Sequence, residues 1–428
     1  MSVPQFSDAW LLLAIFMIIG GAWFRQPSML ALGLLLLVIV PVAWAWNRLV
    51  LRAVHYGRKL GESRVFAGET TSVQLITTNQ KPLPAPWLTV EDTFPRGVSI
   101  TERQMTQVKG GEIQSLTNVL SLRWYERVVR QYTLHCPRRG YYFIGPAYLT
   151  GGDLFGLFQN RAKVSHLDRV IVYPAVVPLE ELGFVGKDPF GESRSRQPIF
   201  EDPLRTVGIR DYHPEDSFRH VHWKATARTG ALQSKVFEPT TTIQFGVFLN
   251  LDTFEHYWEG IDYERAEDAI TATASIAIRA LDERRTVGVY ANGVSGGSDQ
   301  PLRVRPSRSP SQRGEVLAGL AKLSPIASIN FARLLRAETS RFPMGSTVVI
   351  VTALITDATA AVLVDLQRAG HRVVLVTIDE VELPSIRGID VFKLDSASIG
   401  TPRQSRRRYA IQMNPVALAG LVERQRDA

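Results

Sequence analysis

Two apolar runs separated by only four residues restrict this chain more than any other feature. "FSDAWLLLAIFMIIGGAWF" (Phe6 to Phe24) and "MLALGLLLLVIVPVAWAW" (Met29 to Trp46) flank "RQPS". A helix needs roughly 20 apolar residues to cross the ~30 Å hydrocarbon core of a bilayer, and each run approaches that length. Trp10, Trp23, Trp44 and Trp46 stand toward the run ends, where indole rings favour the headgroup interface. A secretory leader is the competing reading, with "AWA" at Ala43 to Ala45 imitating a cleavage site. No Lys or Arg precedes the first run, however, and one leader needs only one run. Residues 1–47 are therefore expected to form a membrane hairpin of two transmembrane helices. Arg48, Arg52, Arg58, Lys59 and Arg64 follow the second run, whereas the intervening loop holds only Arg25. The positive-inside bias then leaves the remainder in the cytoplasm, with these cations against the anionic inner leaflet.

That remainder is long enough for two globular domains. The 428 residues are 45% hydrophobic and 21% charged, so ordinary cores can form. A net charge of +8 favours an anionic neighbour, which on charge alone could be a lipid surface, nucleic acid or an acidic protein face. Cys136 is the single cysteine, so neither an internal disulfide nor a Cys-based metal site can form.

Residues 60–175 alternate in short runs such as "TSVQLITTN", "PWLTVEDTF", "VLSLRWY", "VVRQYTLHC", "GYYFIGPAYLT" and "RVIVYP", broken at "KPLPAP", "FPRG" and "CPRRG". This predicts an all-β sandwich of immunoglobulin-like size. "GGDLFGLF" lacks the Lys-Ser/Thr ending and the following helix of a phosphate loop. Residues 176–204 are Pro/Gly-broken and read as a linker. Residues 205–400 then alternate apolar strands with helices, among them "TIQFGVFLNLD" and the long amphipathic segment Asp262 to Arg285, which predicts a mostly parallel α/β sheet covered on both faces. Residues 401–428 form a basic tail ending in a short helix.

Ligands of such sheets sit beyond the C-terminal strand ends, where Asp252 stands. A von Willebrand factor A domain carries D-x-S-x-S there, two hydroxyls helping a carboxylate to hold magnesium. This chain reads "DTFEH", with Phe254 and His256 at the serine positions, Ala353 where a later carboxylate is expected, and Asp357 displaced downstream. Asp252 and Thr253 are thus the remnant of a degenerate site, and no metal or other cofactor is expected.

The densest polar stretch is "GIRDYHPEDSFRHVHWKATARTG", Gly208 to Gly230. Asp216 is placed to N-cap a helix running from Ser217 to Gly230, with Phe218, Val221 and Ala225 on an apolar face and Arg219/Trp223 and Lys224/Arg228 as pairs four apart. A strand through "RHVHW" competes. His213, His220 and His222 have no known zinc-ligand spacing. Ser217 has no nucleophile elbow, and Cys136 lies in a predicted strand. The cations read equally as a partner surface or as an internal network with Asp211, Glu215, Asp216 and Glu238.

The hairpin, "RRGYYFIGP", "DLFGLF" and this stretch together resemble the bacterial family catalogued as domain of unknown function fifty-eight. The matching positions are Arg210, Tyr212, Pro214, Asp216, Arg219, Trp223, Lys224, Ala227 and Arg228, with Glu238 downstream; His222 stands where the family usually has an acid, and Glu215 where it often has Gly. The resemblance implies a von Willebrand factor A-like C-terminal domain with a degenerate metal-ion-dependent adhesion site, and association with MoxR-type AAA+ ATPases. It supplies no reaction. The expectation is a multi-pass protein of the bacterial cytoplasmic membrane with cytoplasmic soluble domains: a non-enzymatic adaptor or assembly factor for such an ATPase in envelope maturation or complex assembly, in contact with the lipid bilayer, with homo-oligomerisation open and no specific nucleic acid. The alternatives are a metal-dependent hydrolase using residues 213–222 and a cytoplasmic binder of anionic polymers.

Overall fold

A computed structural model describes residues 7–108, 111, 113–182, 201–214, 216–239, 244–296, 300–379 and 388–394. The basic tail expected at 401–428 and most of the linker, 183–200, lie outside the described residues.

Two apolar helices open the chain, α1 (Ser7–Trp23) and α2 (Pro27–Val50). They pack closely because Gly33 lies against Ile18: a Cβ there would stand 2.9 Å from the Ile18 backbone nitrogen. Among the described residues only α2 is long and apolar enough to cross a bilayer; the other apolar helical stretch, Leu12–Trp23, is shorter. The expectation of two spanning helices is thus reduced to one helix of spanning length with a shorter one along it. α2 also continues past Trp46 to Val50, whose side chain is buried in the next unit.

That next unit is built from β1 (Val54–Leu60), β2 (Arg64–Phe66), β3 (Thr70–Asn79), β4 (Ala85–Pro95), β5 (Ser99–Ile100), β6 (Thr106–Gln107), β7 (Ile113–Leu122), β8 (Arg127–His135), β9 (Gly140–Ile144), β10 (Ala147–Gly152), β11 (Gln159–Val164) and β12 (Asp168–Tyr173). One sheet runs β1-β3-β8-β5, a second β11-β10-β4-β7-β6, and a short third β2-β12-β9. In-out alternation along β3, and along β4 from Leu88 onward, puts Val73, Leu75 and Phe94 into a common core with Leu116, Leu134 and Val172. The unit begins at residue 54, not 60. "GYYFIGPAYLT", expected as one strand, divides at Gly145–Pro146. Proline offers no N–H to a ladder, and Gly145 adopts φ 110° with His166 O so close that a Cβ would stand 2.6 Å from it. Its halves, β9 and β10, serve different sheets.

Placing Arg58 on β1 overturns its assignment to the headgroup region. Its side chain is only 2% exposed, and it donates Nε to Asp168 Oδ2 at 2.6 Å, Nη1 to the fully buried Asp92, and Nη2 to His166 O. Tyr56 Oη donates to the other Asp92 oxygen at 2.6 Å. Burial pushes the Asp92 carboxyl above its ordinary range, opposed by the Arg58 charge and the Tyr56 hydroxyl. The cluster ties β1, β4 and β12 together.

After residue 200 come β13 (Glu201–Asp211), α3 (Trp223–Thr229) and β14 (Gln233–Pro239), an antiparallel strand pair carrying a short helix. The final unit comprises β15 (Gln244–Leu249), α4 (Tyr263–Asp282), β16 (Thr286–Ser295), β17 (Pro301–Ser307), α5 (Gln312–Lys322), β18 (Leu323–Ala327), α6 (Phe331–Thr339), β19 (Thr347–Thr352), α7 (Asp357–Arg368), β20 (Arg372–Ile378) and β21 (Asp390–Leu394). Its sheet order is β17-β16-β15-β19-β20-β21. β15, β16, β19, β20 and β21 pair in parallel, whereas β17 and β18 add to β16 antiparallel. One sheet face packs on α4 and α5, the other on α6 and α7, each over its own apolar core. β17 is hidden in the sequence because "PLRVRPS" carries two Pro and two Arg among its seven residues, which suits an edge.

The expected linker does not begin at 176. Leu179 and Leu182 are buried in the α4 side of that core, and Val177 N donates to Ser275 Oγ at 2.9 Å. Tyr173 of β12 joins the same cluster, with Phe66 and Ile171 packed against it. Arg139 adds a polar seam, its Nη1 donating to Leu320 O and Leu323 O at the end of α5 and its Nη2 pairing with Glu267 at 2.7 Å.

Candidate functional site

The polar stretch forms a lobe on the β13–β14 pair. The ladder joins Gly208 to Val236, Ile209 to Lys235, Arg210 to Ser234 and Asp211 to Gln233. The intervening chain folds back on that ladder, with Tyr212 N donating to Leu232 O and His222 N to Gln233 O. Val221 bridges Ser234, and both are buried. This bridge is why no continuous helix runs from Ser217 to Gly230. Phe218–His220 make a single 3-10 turn with Ser217 as its cap, residue 221 is extended, and α3 starts afresh with His222 Nδ1 accepting from Ala225 N at 3.0 Å. Gly230, in the left-handed conformation, closes α3 as the sequence indicates.

Asp216, expected to cap a helix, instead ties the entry turn. Its Oδ2 accepts from His213 N at 2.9 Å, its Oδ1 from Arg210 Nη2, and its carbonyl from Tyr212 Oη at 3.0 Å. The His213 amide and then Arg210 hold the Asp216 carboxyl below its ordinary value. Phe218 leans on Tyr212 with ring centroids 5.5 Å apart. Pro214 is exposed in the same turn.

The stretch therefore divides into two sets. Arg210, Tyr212, Asp216 and His222 make the bonds that shape the lobe. Arg219, Trp223, Lys224, Ala227 and Arg228 face outward; Trp223 is 65% exposed, and among the described residues neither Arg219, Lys224 nor Arg228 makes an ion pair. Of the internal network expected with Asp211, Glu215, Asp216 and Glu238, the described ion pair is Arg210–Asp216; Asp211 accepts from Gln233 Nε2, while Glu215 and the Glu238 side chain lie outside the described residues. His213, His220 and His222 do not assemble with one another or with carboxylates into a metal-holding group among the described residues. Ser217 Oγ accepts from Arg219 N, and Cys136 is buried in the β unit.

Asp252 and Thr253 occupy a separate place, the C-terminal rim of the parallel sheet, where the chain leaves β15 between β16 and β19. Asn250 and Asn292 are both buried there. Asn292 Nδ2 donates to Asn250 Oδ1 and to Asp252 Oδ2, each at 3.0 Å, and Asn250 Nδ2 donates to Thr352 Oγ1 at 3.0 Å. Thr253 Oγ1 accepts from Asp262 N, the residue that caps α4. Phe254 and His256 are exposed, His256 stacking on Trp258 at 4.4 Å; Ala353 is buried and Asp357 begins α7. Asn250, Asn292 and Thr352 escaped the sequence reading, although a polar residue closing a buried strand ("FLN", "YAN", "IVT") is a signal that could have found them.

Desolvation pushes the Asp252 carboxyl up, and the Asn292 amide only partly offsets it. A carboxyl raised in the folded state loses stability for the fold as pH rises from its unfolded value through its folded one. Asp252→Asn should thus raise the melting temperature at pH 7 and flatten its fall from acid toward neutral pH. Millimolar magnesium should leave the parent melt unmoved: a site with a Kd of about 10 μM would add ~2.7 kcal/mol at ~1 mM. A magnesium-induced rise of that order, lost in Asp252→Ala, would show a working cation site.

Comparison with known proteins adds three findings. A family model described as protein of unknown function DUF58 matches residues 208–414, from the lobe through the sheet. The uncharacterized protein YeaD of Bacillus subtilis (strain 168) is 24% identical over 252 residues; the chain spans 57% of that relative's length, with 57% of the chain matched. Among solved structures, a CARDB domain of Pyrococcus furiosus PF1109 (15% identity, TM-score 0.18) covers 28% of this chain and 90% of its own. A cohesin module of Clostridium perfringens (11% identity, TM-score 0.19) covers 28% and 97%. TM-scores this low carry no argument about the fold or the site.

Proposed function

The chain belongs to the DUF58 family through its residues 208–414, and from that premise we propose that it is a membrane-anchored, non-enzymatic adaptor or assembly factor that presents the 208–239 lobe to a MoxR-type AAA+ ATPase in the cytoplasm. The division of the lobe carries this reading. Exposed Trp223 with Arg219, Lys224 and Arg228 has the aromatic-and-arginine composition of interface hot spots, and the four are free of the bonds that shape the lobe. Their charge suits an acidic partner face. In this reading the α/β unit is von Willebrand factor A-like, its rim turned from metal binding to an amide network around Asp252, and α2 crosses the bilayer with α1 packed along it. Envelope maturation or the assembly of a membrane complex is the setting such an adaptor fits.

Topology tests the anchoring half. Cys136 is buried and its thiol is pushed up to about 11, so the native chain is a silent background for single cysteines. Gln26→Cys should react with a membrane-impermeant maleimide added outside intact cells, and Ser309→Cys only after lysis. The reverse pattern, or a mature chain that starts after Ala45, would overturn the reading.

A further inference from the structure

The end of the β unit nearest α2 carries four large exposed side chains on two turns. Trp124 and Tyr125 (65% and 67% exposed) form the β7–β8 turn, and Leu154 and Phe155 (59% and 56%) form the β10–β11 turn. Neither turn is loose. The buried Asp153 carboxylate accepts from Phe155 N at 2.8 Å, Leu157 N at 3.3 Å and Phe158 N at 2.6 Å, while Trp87 Nε1 donates to Asp153 O. Tyr125 N donates to Lys81 O, and Lys81 Nζ in turn caps α2 by donating to Val50 O at 2.8 Å. Both turns therefore hold large apolar groups outward in a fixed geometry, although a folded domain ordinarily buries such groups.

Their position relative to α2 explains the arrangement. Phe158, next to the second turn, packs against Val40 and Ala43, with Leu157 and Trp10 alongside. Val40 lies ten residues before Val50, about 15 Å along the helix axis. The contact is thus on the apolar-run side of Trp44, the ring over which the Arg48 guanidinium stacks at 5.3 Å. Any bilayer that surrounds the apolar part of α2 meets the turns at its surface. Exposed Arg48, Arg52 and Arg123 ring the same end, where cations meet anionic headgroups. We propose that this end of the β unit is a second membrane-contact surface, with Trp124, Tyr125, Leu154 and Phe155 seated among the headgroups of an anionic phospholipid bilayer. The inference rests on α2 being embedded, and extends it from an anchor to an orientation: the soluble units are held in one pose on the membrane instead of swinging on a tether.

The test uses the full chain in vesicles of phosphatidylcholine and phosphatidylglycerol, carrying an environment-sensitive dye on a single introduced cysteine. Nitroxide lipids, labelled at the headgroup or within the acyl chain, serve as quenchers. Dyes at Leu154→Cys and Trp124→Cys should be quenched by the headgroup nitroxide several-fold more than one at Ser99→Cys, at the opposite end of the unit. A dye at Val38→Cys, on an exposed face of α2, should be quenched by the acyl-chain nitroxide. Quenching at Val38 with none beyond the Ser99 level at 124 and 154 would leave the anchor standing and overturn the second surface. No quenching at Val38 would sink the anchor, and this inference with it. Self-quenching between copies at 154 that disappears on dilution, without lipid quenching, would assign the surface to a second copy of the chain and refute the bilayer.

Discussion

Replacing Arg58 with methionine should cost about 3–5 kcal/mol of stability, because it strands a buried carboxylate. Asp92 is completely buried, Asp168 keeps 17% of its side chain exposed to water, and His166 O also loses its donor. Among the described residues no cation besides Arg58 pairs with Asp92, and the one other partner of Asp168 is His166 Nε2 at 3.3 Å, on an exposed ring. Urea unfolding of the full chain, followed by tryptophan fluorescence, reads the loss as a lower midpoint. Replacing the group together, Arg58→Met with Asp92→Leu and Tyr56→Phe, should recover much of it, since apolar packing can substitute for a buried ion cluster but not for half of one. A loss under ~1 kcal/mol for Arg58→Met would instead return this residue to the membrane surface, where an exposed ion pair has that worth.

The second large effect concerns the lobe. Arg219→Ala or Trp223→Ala should weaken capture of the proposed ATPase partner by about thirtyfold, the equivalent of ~2 kcal/mol, while leaving the melting temperature and protease resistance of the chain unchanged. Arg210→Ala and Asp216→Ala should behave differently. These remove bonds that shape the entry turn, so the lobe should become protease-sensitive and binding should fall as a consequence of its loosening. The contrast separates a surface from a staple within one stretch of chain.

Local pattern explains where sequence and structure agree. Asp262 caps α4 and Gly230 ends α3 because capping is decided within four residues. Strand–helix alternation beyond residue 244 is equally local, since each buried parallel strand is its own apolar run. Other misreadings turn on partners distant in sequence. Arg58 looks like a juxtamembrane cation until β1 pairs with β3 and brings it to Asp92 and Asp168, 34 and 110 residues away. Residues 217–230 have helical periodicity, yet Val221 is drawn into a bridge with Ser234, and the ladder outweighs the helix there. Asn250 is satisfied by Asn292 and Thr352, 42 and 102 residues on, which no spacing rule connects. Arg219 and Trp223, expected as a helical pair, are divided between a 3-10 turn and α3, although both still face outward.

Binding and stability measured side by side test the central claim most directly. The full chain in detergent or nanodiscs, as parent, Arg219→Ala and Trp223→Ala, is titrated with a MoxR-type ATPase from the same cell, with and without ATP, and each variant is melted in the same buffer. The expected result is nucleotide-sensitive binding by the parent, a roughly thirtyfold weaker Kd in both variants, and melting curves that superimpose. No binding by a well-folded parent, or variants whose weaker binding matches only their fraction unfolded, would contradict it.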